Sequence, residues 1–310
     1  MRAVLCAGLF SVFLLFGEQN ATAVETDTLV PYESELYPED LLQRVREAAQ
    51  TIPGELPQSI NFVKFAESHR TYAAVIEGGS EDPFISARTA FQVVYPKGTI
   101  MLDSGMDEEV HRFYGFGRDE PYWQNVNDEI QAALRRAQLI LITHEHGDHI
   151  AGVIRSDYRN ELATKTILTK NQVRTLNLAP QLPEIMLTPE RARDYIVVDY
   201  ELLLPVAPGI VLIKASGHTH GHQMIYVRIQ DDTEFLFIGD IGWTLDNITE
   251  QKLRPAATIA RVREDPQALT HQIAWIKDVM DNDDVIVIPA HDDELLLGFA
   301  ADGILGTSLE

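Results

Sequence analysis

Residues 139–149 read Leu-Ile-Leu-Ile-Thr-His-Glu-His-Gly-Asp-His and contain the strongest local signal in the sequence. The first four residues are apolar and predict a buried β-strand. That strand runs directly into four potential metal ligands, which are His144, His146, Asp148 and His149. A core segment with so many polar side chains on one turn would be costly to bury without partners. We therefore interpret it as a ligand cluster, in which His144 and His146 hold one ion and Asp148 and His149 face a second.

Two ions need more than four ligands, and the chain provides further candidates downstream. A loop between two predicted strands contains His218, in the segment Ser-Gly-His-Thr-His-Gly-His at 216–222. A third strand-like run ends in Gly239-Asp240, and the last one is followed by His291. These residues complete a set of nitrogen and oxygen groups that is large enough for two ions sharing a carboxylate.

Apolar runs and turn residues predict alternating helices and strands along the rest of the chain. Pro96-Lys97-Gly98 separates the first two strands as in a hairpin, and the segment from Gly105 to Trp123, rich in glycine and aromatic residues, is predicted to be a loop. Each metal-type motif falls just past the end of a strand, as expected of a layered α/β fold. The predicted helices are Pro38–Gln50, Val126–Ala137 and Pro266–Met280. The predicted strands, besides 139–142, are Phe91–Tyr95, Thr99–Asp103, Ile210–Ala215, Met224–Ile229, Glu234–Ile238 and Val285–Ile288.

The N-terminal residues are predicted to be a signal peptide rather than part of the fold. Arg2 precedes an almost wholly apolar run from Ala3 to Phe16, and Ala21-Thr22-Ala23 is a small-residue cleavage pattern. The run is shorter than the roughly 20 residues of a membrane-spanning helix, so we expect cleavage rather than anchoring. We predict a signal peptide at 1–23, a single domain at 24–310 and a periplasmic or secreted location.

Composition limits the ligands and the partners of this domain. The only cysteine is Cys6, so after cleavage any metal must be bound by nitrogen and oxygen. The 310 residues carry a formal net charge of −22, and 45% are hydrophobic, which is enough for a sizeable core. So acidic a chain repels phosphate backbones and anionic lipids, and we predict neither a nucleic acid nor a membrane as a partner.

The motifs together resemble the metallo-β-lactamase superfamily. Its H-x-H-x-D-H motif is matched by residues 144–149, its G-H-T-x-G-H motif by residues 217–222, its G-D by Gly239-Asp240 and its last histidine by His291. The resemblance covers about residues 70 to 295. It implies a four-layer αββα sandwich with the site along one edge.

The resemblance also implies how the ligands are divided. His144, His146 and His218 would hold one ion, Asp148, His149 and His291 the other, and Asp240 would bridge both. Asp148 and Asp240 are predicted to be catalytic as well as ligating. A hydroxide between the ions would be the nucleophile, because metal binding lowers the pKa of water from 15.7 toward about 7. Zn²⁺ suits these ligands best, while Fe, Mn and Co accept the same set.

Several other polar residues receive supporting roles or none. Asp103 matches an early aspartate of the family, and we expect it to hold a ligand imidazole from outside, with Thr143 and Thr219 orienting in the same way. His222 is expected to support its loop rather than an ion, and His220 occupies a variable position. Three further histidines, His69, His111 and His271, carry no motif and are expected to be ordinary helix or loop residues. The aromatic residues between Phe113 and Trp123 fit a pocket wall and the core equally well.

The substrate prediction rests on departures from individual branches of the family. His149 and Asp240 occur together here, which resembles the lactonase, glyoxalase II and esterase branch rather than the lactamases. The stretch from Asp292 to Glu310 lacks the cations that glyoxalase II would need for glutathione. Acyl-homoserine lactonases place a tyrosine three residues after the bridging aspartate, where this chain has Trp243, whose indole donates only an N–H. Without a tyrosine at that position, either the metal takes the leaving group, or Tyr114 or Tyr122 supplies the O–H that protonates it.

We therefore predict a dinuclear metal-dependent hydrolase that cleaves an ester or lactone bond in a small, neutral or apolar substrate. The alternative is hydrolysis of a phosphoester, sulfate ester or β-lactam by the same site. A hypothesis of another class is a periplasmic metal-dependent binding or redox protein.

Overall fold

The computed structural model describes residue 35 and residues 37–310, so the predicted signal peptide lies outside the described residues. Two β-sheets form the centre of this part of the chain. In the first sheet the strands follow one another in chain order; β1, β2 and β3 are antiparallel, and β3 to β6 are parallel. These strands are β1 (Ser59–Thr71), β2 (Pro83–Tyr95), β3 (Gly98–Leu102), β4 (Leu139–Leu141), β5 (Thr166–Thr169) and β6 (Ile196–Val198).

The second sheet contains the later strands in the order β11-β10-β9-β8-β7. Its neighbours are antiparallel except for β10 and β11, which run parallel. The strands are β7 (Leu203–Ala207), β8 (Ile210–Lys214), β9 (Gln223–Arg228), β10 (Glu234–Gly239) and β11 (Val285–Pro289).

Helices cover both outer faces of the two sheets. No helix within the described residues is long and apolar enough to cross a membrane. The α-helices are α1 (Leu41–Ala48), α2 (Tyr72–Val75), α3 (Glu108–Tyr114), α4 (Gln124–Arg136), α5 (Gly147–Ile154), α6 (Arg159–Ala163), α7 (Lys170–Leu178), α8 (Pro189–Ala192), α9 (Leu245–Thr249), α10 (Ala256–Val262), α11 (Pro266–Asn282) and α12 (Asp293–Ala301).

Three buried apolar clusters hold the layers together. The central cluster lies between the sheets, where the rings of Phe91 and Phe237 meet edge to face with centroids 5.0 Å apart. A second cluster packs α4, α5 and α7 onto the first sheet, and a third packs α1, α9 and α11 onto the second. Burial of these apolar faces is the main favourable term in folding. The arrangement confirms the predicted four-layer αββα sandwich.

Most predicted elements are present within one to three residues of their expected bounds, but the predicted loop from Gly105 to Trp123 is wrong in part. It contains α3, which begins after Asp107, whose carboxylate accepts a hydrogen bond of 3.1 Å from the backbone N–H of Val110. Val110 and Tyr114 lie one turn apart and are both buried. A local cap and an apolar face thus form a helix where the composition indicates a loop. The long β1, the first half of β2 and α12 are additions that the sequence patterns did not predict.

Candidate metal centre

The candidate site lies where four strands of the two sheets end. β4 precedes His144, β8 precedes His218, β10 leads directly into Asp240, and β11 precedes His291. Gly239 has a positive φ of 52°, and a Cβ there would lie 2.6 Å from Nε2 of His222, so only glycine fits this turn.

α5 brings the remaining ligands into the same place. It begins at Gly147 after His146, and Asp148 and His149 lie in its first turn. The motif therefore spans the loop after β4 and the first turn of α5, a helix that the sequence patterns did not predict. Asp148 and His149 are both buried.

The structure brings all seven predicted ligands together in two groups. In each group the candidate ligand atoms lie within 4.8 Å of one another. The first group consists of His144, His146, His218 and Asp240, and the second of Asp148, His149 and His291.

Asp240 faces both groups with different oxygens. Its Oδ2 lies 3.3 Å from Nε2 of His218 and 3.8 Å from Nε2 of His144. Its Oδ1 lies 3.0 Å from Nε2 of His291 and 3.5 Å from Nε2 of His149. One carboxylate is thus placed to bridge two cations.

Several candidate ligand atoms are buried without a hydrogen-bond partner among the described residues. They are Nε2 of His144, Nε2 of His149 and Oδ1 of Asp240. Nε2 of His218 and Nδ1 of His146 point at each other across 3.0 Å. Buried polar atoms without partners are costly, and a shared divalent cation would satisfy them. The residues therefore fit a pair of metal ions with nitrogen and oxygen ligands.

Carboxylates outside the ligand set fix two of the imidazoles. Nδ1–H of His149 donates to Oδ2 of Asp103 over 2.7 Å, and Nδ1–H of His218 donates to Oε1 of Glu264 over 2.5 Å. A carboxylate only accepts, so each hydrogen bond directs the Nε2 lone pair toward the site. The expected position of Asp103 behind a ligand imidazole agrees with this contact.

Two other ligand imidazoles are held by neutral groups. Nδ1–H of His291 donates to the carbonyl oxygen of Ala87 over 2.7 Å. Nδ1 of His144 lies 3.1 Å from Oγ1 of Thr143, whose hydroxyl also contacts Asp103. Thr143 therefore lies in the orienting position expected of it.

Glu264 and its partner Arg254 were not predicted, because no motif contains them. Nε and Nη2 of Arg254 donate to the two Glu264 oxygens over 3.0 and 2.5 Å, and both side chains are buried. Burial raises the pKa of Glu264, but Arg254 and His218 outweigh that effect and keep the pKa below its usual value. The carboxylate stays charged beneath the ligand His218.

Glu145, between the first two ligand histidines, supports the loop that carries the third. Its carboxylate accepts a hydrogen bond of 2.7 Å from the hydroxyl of Thr219 and one of 3.1 Å from the backbone N–H of Gly221. Burial raises the pKa of Glu145. Thr219 thus acts on the loop rather than on a ligand imidazole.

The other histidines lie outside both ligand groups. Nε2 of His222 accepts a hydrogen bond of 3.1 Å from the backbone N–H of Asp240 and so supports that turn. His220 is half-buried in the pocket wall, and His111 is buried beside the ring of Tyr122. His69 and His271 are exposed.

A pocket of about 320 Å³ opens over the two ligand groups. The aromatic segment contributes Phe113, Tyr114 and Phe116 to its wall, and Phe116 is 56% exposed. Tyr122 faces elsewhere, since its ring packs on Phe65 and its hydroxyl donates to the carbonyl oxygen of Met106. The segment is therefore pocket wall at its start and core at its end.

Tyr114 is the tyrosine that the fold places at the site. Its hydroxyl donates to Oε1 of Gln181 over 2.6 Å and accepts from the backbone N–H of Asp148 over 3.1 Å. Burial raises the pKa of Tyr114 well above its usual value. Its proton is thus engaged in a hydrogen bond to an amide oxygen.

Comparison with known proteins agrees with this geometry. The sequence model of the metallo-beta-lactamase superfamily matches residues 86–291. The N-acyl homoserine lactonase AiiA of Bacillus thuringiensis subsp. kurstaki is 24% identical over 212 residues, which cover 64% of this chain and 78% of that protein.

Solved structures share the fold at low sequence identity. An N-acyl homoserine lactone hydrolase with the product N-hexanoyl-L-homoserine at its catalytic metal centre matches with a TM-score of 0.62 and 16% identity, covering 78% of this chain and 96% of that one. The dizinc quorum-quenching lactonase AidC matches with a TM-score of 0.50 and 15% identity, covering 77% and 90%.

Proposed function

We propose that this chain, which belongs to the metallo-β-lactamase superfamily and is a metal-dependent hydrolase, opens a lactone ring or cleaves an ester bond in a small-molecule substrate. The observation that carries the proposal is the bridging geometry of Asp240, which presents one oxygen to each group of ligands.

We infer that two divalent ions, most simply Zn²⁺, occupy the two ligand groups, with Fe, Mn or Co as substitutes. When bound, such ions lower the pKa of a water and polarise a carbonyl group. Asp148 and Asp240 supply the negative charge that balances them. Asp103 and Glu264 hold ligand imidazoles in one orientation.

The choice of lactone or ester is supported by the relatives. The curated relatives are N-acyl homoserine lactonases, and one similar structure holds the product of such a reaction at its metal centre. Trp243 has no hydroxyl and its indole N–H donates to Asp240, while the hydroxyl of Tyr114 donates to Gln181. Tyr114 would have to give up this hydrogen bond before it could protonate a leaving oxygen.

A periplasmic or secreted location is part of the same proposal. It is supported by the positive residue, apolar run and small-residue cleavage pattern within 1–23.

The test is a metal assay and a substrate panel on the purified protein. We expect two equivalents of metal and turnover of lactones or esters, with less or no turnover of a phosphodiester, a sulfate ester and a β-lactam. His146→Ala should lower metal content and abolish activity together. Two equivalents of metal with no turnover of any panel member would rule out the hydrolase, and activity that survives His146→Ala would refute the ligand assignment.

A further inference from the structure

A buried arginine that belongs to no motif lies against the second group of ligands. Arg88, on β2, is only 7% exposed and contributes to the pocket wall. Its Nη1 donates to Oδ2 of Asp148 and lies 3.3 Å from Nε2 of His291. Its Nη2 donates to Oγ of Ser68 over 3.2 Å, and its guanidinium carbon lies 4.8 Å from the centroid of the Tyr114 ring. The guanidinium is therefore held in place from three sides.

This group cannot be a metal ligand or a general base. A guanidinium keeps its positive charge in proteins and has five N–H donors but no acceptor. Its Nε–H is buried and has no hydrogen-bond partner among the described residues. Arg88 thus leaves an unused donor in a place where desolvation makes such donors costly.

The carboxylate of Asp148 pairs with Arg88, but the same carboxylate is a candidate ligand of a divalent cation. The ligands around Asp148 and His291 are suited to a divalent cation, and like charges repel strongly at a few ångströms in a partly buried site. An anionic oxygen that lies between the guanidinium and the metal pair would offset that repulsion. Ester and lactone hydrolysis forms such oxygens.

We propose that Arg88 is a catalytic residue that binds the oxyanion developing on the substrate carbonyl and then the carboxylate of the product. The inference rests on the proposed function. In the reaction, the oxygen of a water forms a bond to the carbonyl carbon and the bond from that carbon to the alkoxy oxygen breaks. One proton of the water goes to the leaving oxygen, the other goes to solvent, and a carboxylate remains.

Other pocket groups are less suited to this role. The forked donors of arginine match a carboxylate in two parallel hydrogen bonds. Arg70 also lines the pocket, but its Nη1 donates to Glu120 over 2.7 Å. The N–H of Trp243 is taken by Asp240. Arg261 and Arg263 also line the pocket but are exposed, whereas Arg88 is buried and contacts Asp148 and His291 directly. Arg88 is therefore the pocket arginine best placed next to the ligands.

The test measures binding of a carboxylate and does not depend on turnover. The probe is 4-hydroxybutanoate, the ring-opened form of γ-butyrolactone, titrated calorimetrically into zinc-loaded protein. We expect Arg88→Gln to weaken its binding by about tenfold or more, since one charge-assisted hydrogen bond contributes at least that factor. Metal content should remain at two equivalents.

Arg88→Lys and Arg228→Gln complete the set of variants. Arg88→Lys keeps the charge without the fork and should lose about threefold or more in affinity. Arg228 is half-buried on β9 and pairs with Asp232, so Arg228→Gln removes the same charge elsewhere and should stay within about twofold of wild type.

Wild-type affinity in both Arg88 variants would overturn the proposal, and so would loss of metal together with affinity, which would indicate a merely structural residue. If Arg88→Gln fails to fold, the Arg88→Lys affinity decides alone.

Turnover separates this inference from the proposed function. With lactones, Arg88→Gln should lower kcat and kcat/KM together by about 10²-fold, as expected when a donor acts on a developing oxyanion. If the wild-type protein turns over no ester or lactone but its carboxylate affinity depends on Arg88, the anion site stands and the proposed function fails. If turnover is normal and carboxylate affinity does not depend on Arg88, only the present inference fails.

Discussion

The indole N–H of Trp243 donates a hydrogen bond of 2.8 Å to Oδ2 of Asp240. The same oxygen faces the first group of ligands, so the tryptophan fixes the carboxylate that links the two groups. The Trp243 ring in turn lies 4.9 Å from the guanidinium carbon of Arg254, which donates to Glu264 beneath His218. Trp243, which offers no hydroxyl to the reaction, therefore supports the metal ligands instead.

Removing the indole N–H should weaken metal binding. Trp243→Phe keeps an aromatic ring but leaves Asp240 free to rotate, and outer contacts of this kind are worth about 10- to 100-fold in metal affinity. Competition with a chromophoric chelator measures the change. Trp275→Phe is the control, because Trp275 packs against Tyr37 on the outer face of the second sheet and should leave metal affinity as it is. Equal affinities in Trp243→Phe and wild type would contradict this assignment.

Asp103→Asn should loosen the second metal ion selectively. Asp103 holds His149, and its backbone has a positive φ of 59°, which asparagine tolerates. We expect this variant to release about one equivalent of metal at a chelator concentration at which wild type retains two. Asp232→Asn is the matched control, since Asp232 also has a positive φ, 72°, but is exposed on a turn. Release of both ions or of neither would argue against the selective role.

Glu264→Gln should destabilise the fold as well as the first metal site. It removes the buried charge opposite Arg254, and breaking a buried ion pair from one side costs about 3–5 kcal/mol. Urea unfolding of the metal-free protein measures that loss. Glu161→Gln breaks an exposed pair with Arg135 and should cost no more than about 1 kcal/mol. A similar, small effect of both substitutions would mean that the buried pair is dispensable.

Metal removal should lower the melting temperature. The ligands come from strand ends of the second sheet and from the region following β4 of the first, so bound ions link distant parts of the chain. A ligand present at 1,000 times its Kd stabilises by about 4 kcal/mol, which corresponds to a shift in Tm of about 10 °C. Scanning fluorimetry with and without EDTA measures the shift. His146→Ala, which keeps the second group of ligands, should show a smaller EDTA-induced shift than wild type, while the exposed His271→Ala should keep the wild-type shift.

Acid should destabilise the protein through His111. Burial, together with the nearby charge of Arg88, lowers the pKa of His111 in the folded state below its ordinary value of 6.5. Below pH 6.5 the unfolded chain therefore binds a proton that the folded chain resists, and stability falls as the pH decreases. Urea unfolding of metal-free protein between pH 7.5 and 5 should show a smaller acid loss for His111→Phe than for wild type. Parallel curves for the two proteins would contradict the role of His111.

The sequence alone was enough to predict the candidate ligand set, which the structure brings together in two groups. Each of the seven ligands lies at or just after a strand end, or in the first turn of α5, and the apolar strands and these motifs are both local patterns. The spacing from His144 to His149 predicted a ligand cluster after a strand, and the structure adds that the cluster continues into the first turn of α5. The match of the motifs to a family then supplied the sandwich that the structure contains.

The groups that support the ligands became visible only in the folded protein. Glu264 reaches His218 from a segment after α10, and Arg88 reaches Asp148 from β2, 60 residues earlier in the chain. Neither residue has a periodic or spaced pattern around it, because such contacts depend on how strands and loops pack rather than on neighbours in sequence. The hydrogen-bond partner of Trp243 could not be predicted either. The sequence shows that an indole is present, but only the folded turn after β10 shows that its N–H points at Asp240. Local patterns fix elements and ligands, while contacts between distant elements fix their orientation and the charges that surround them.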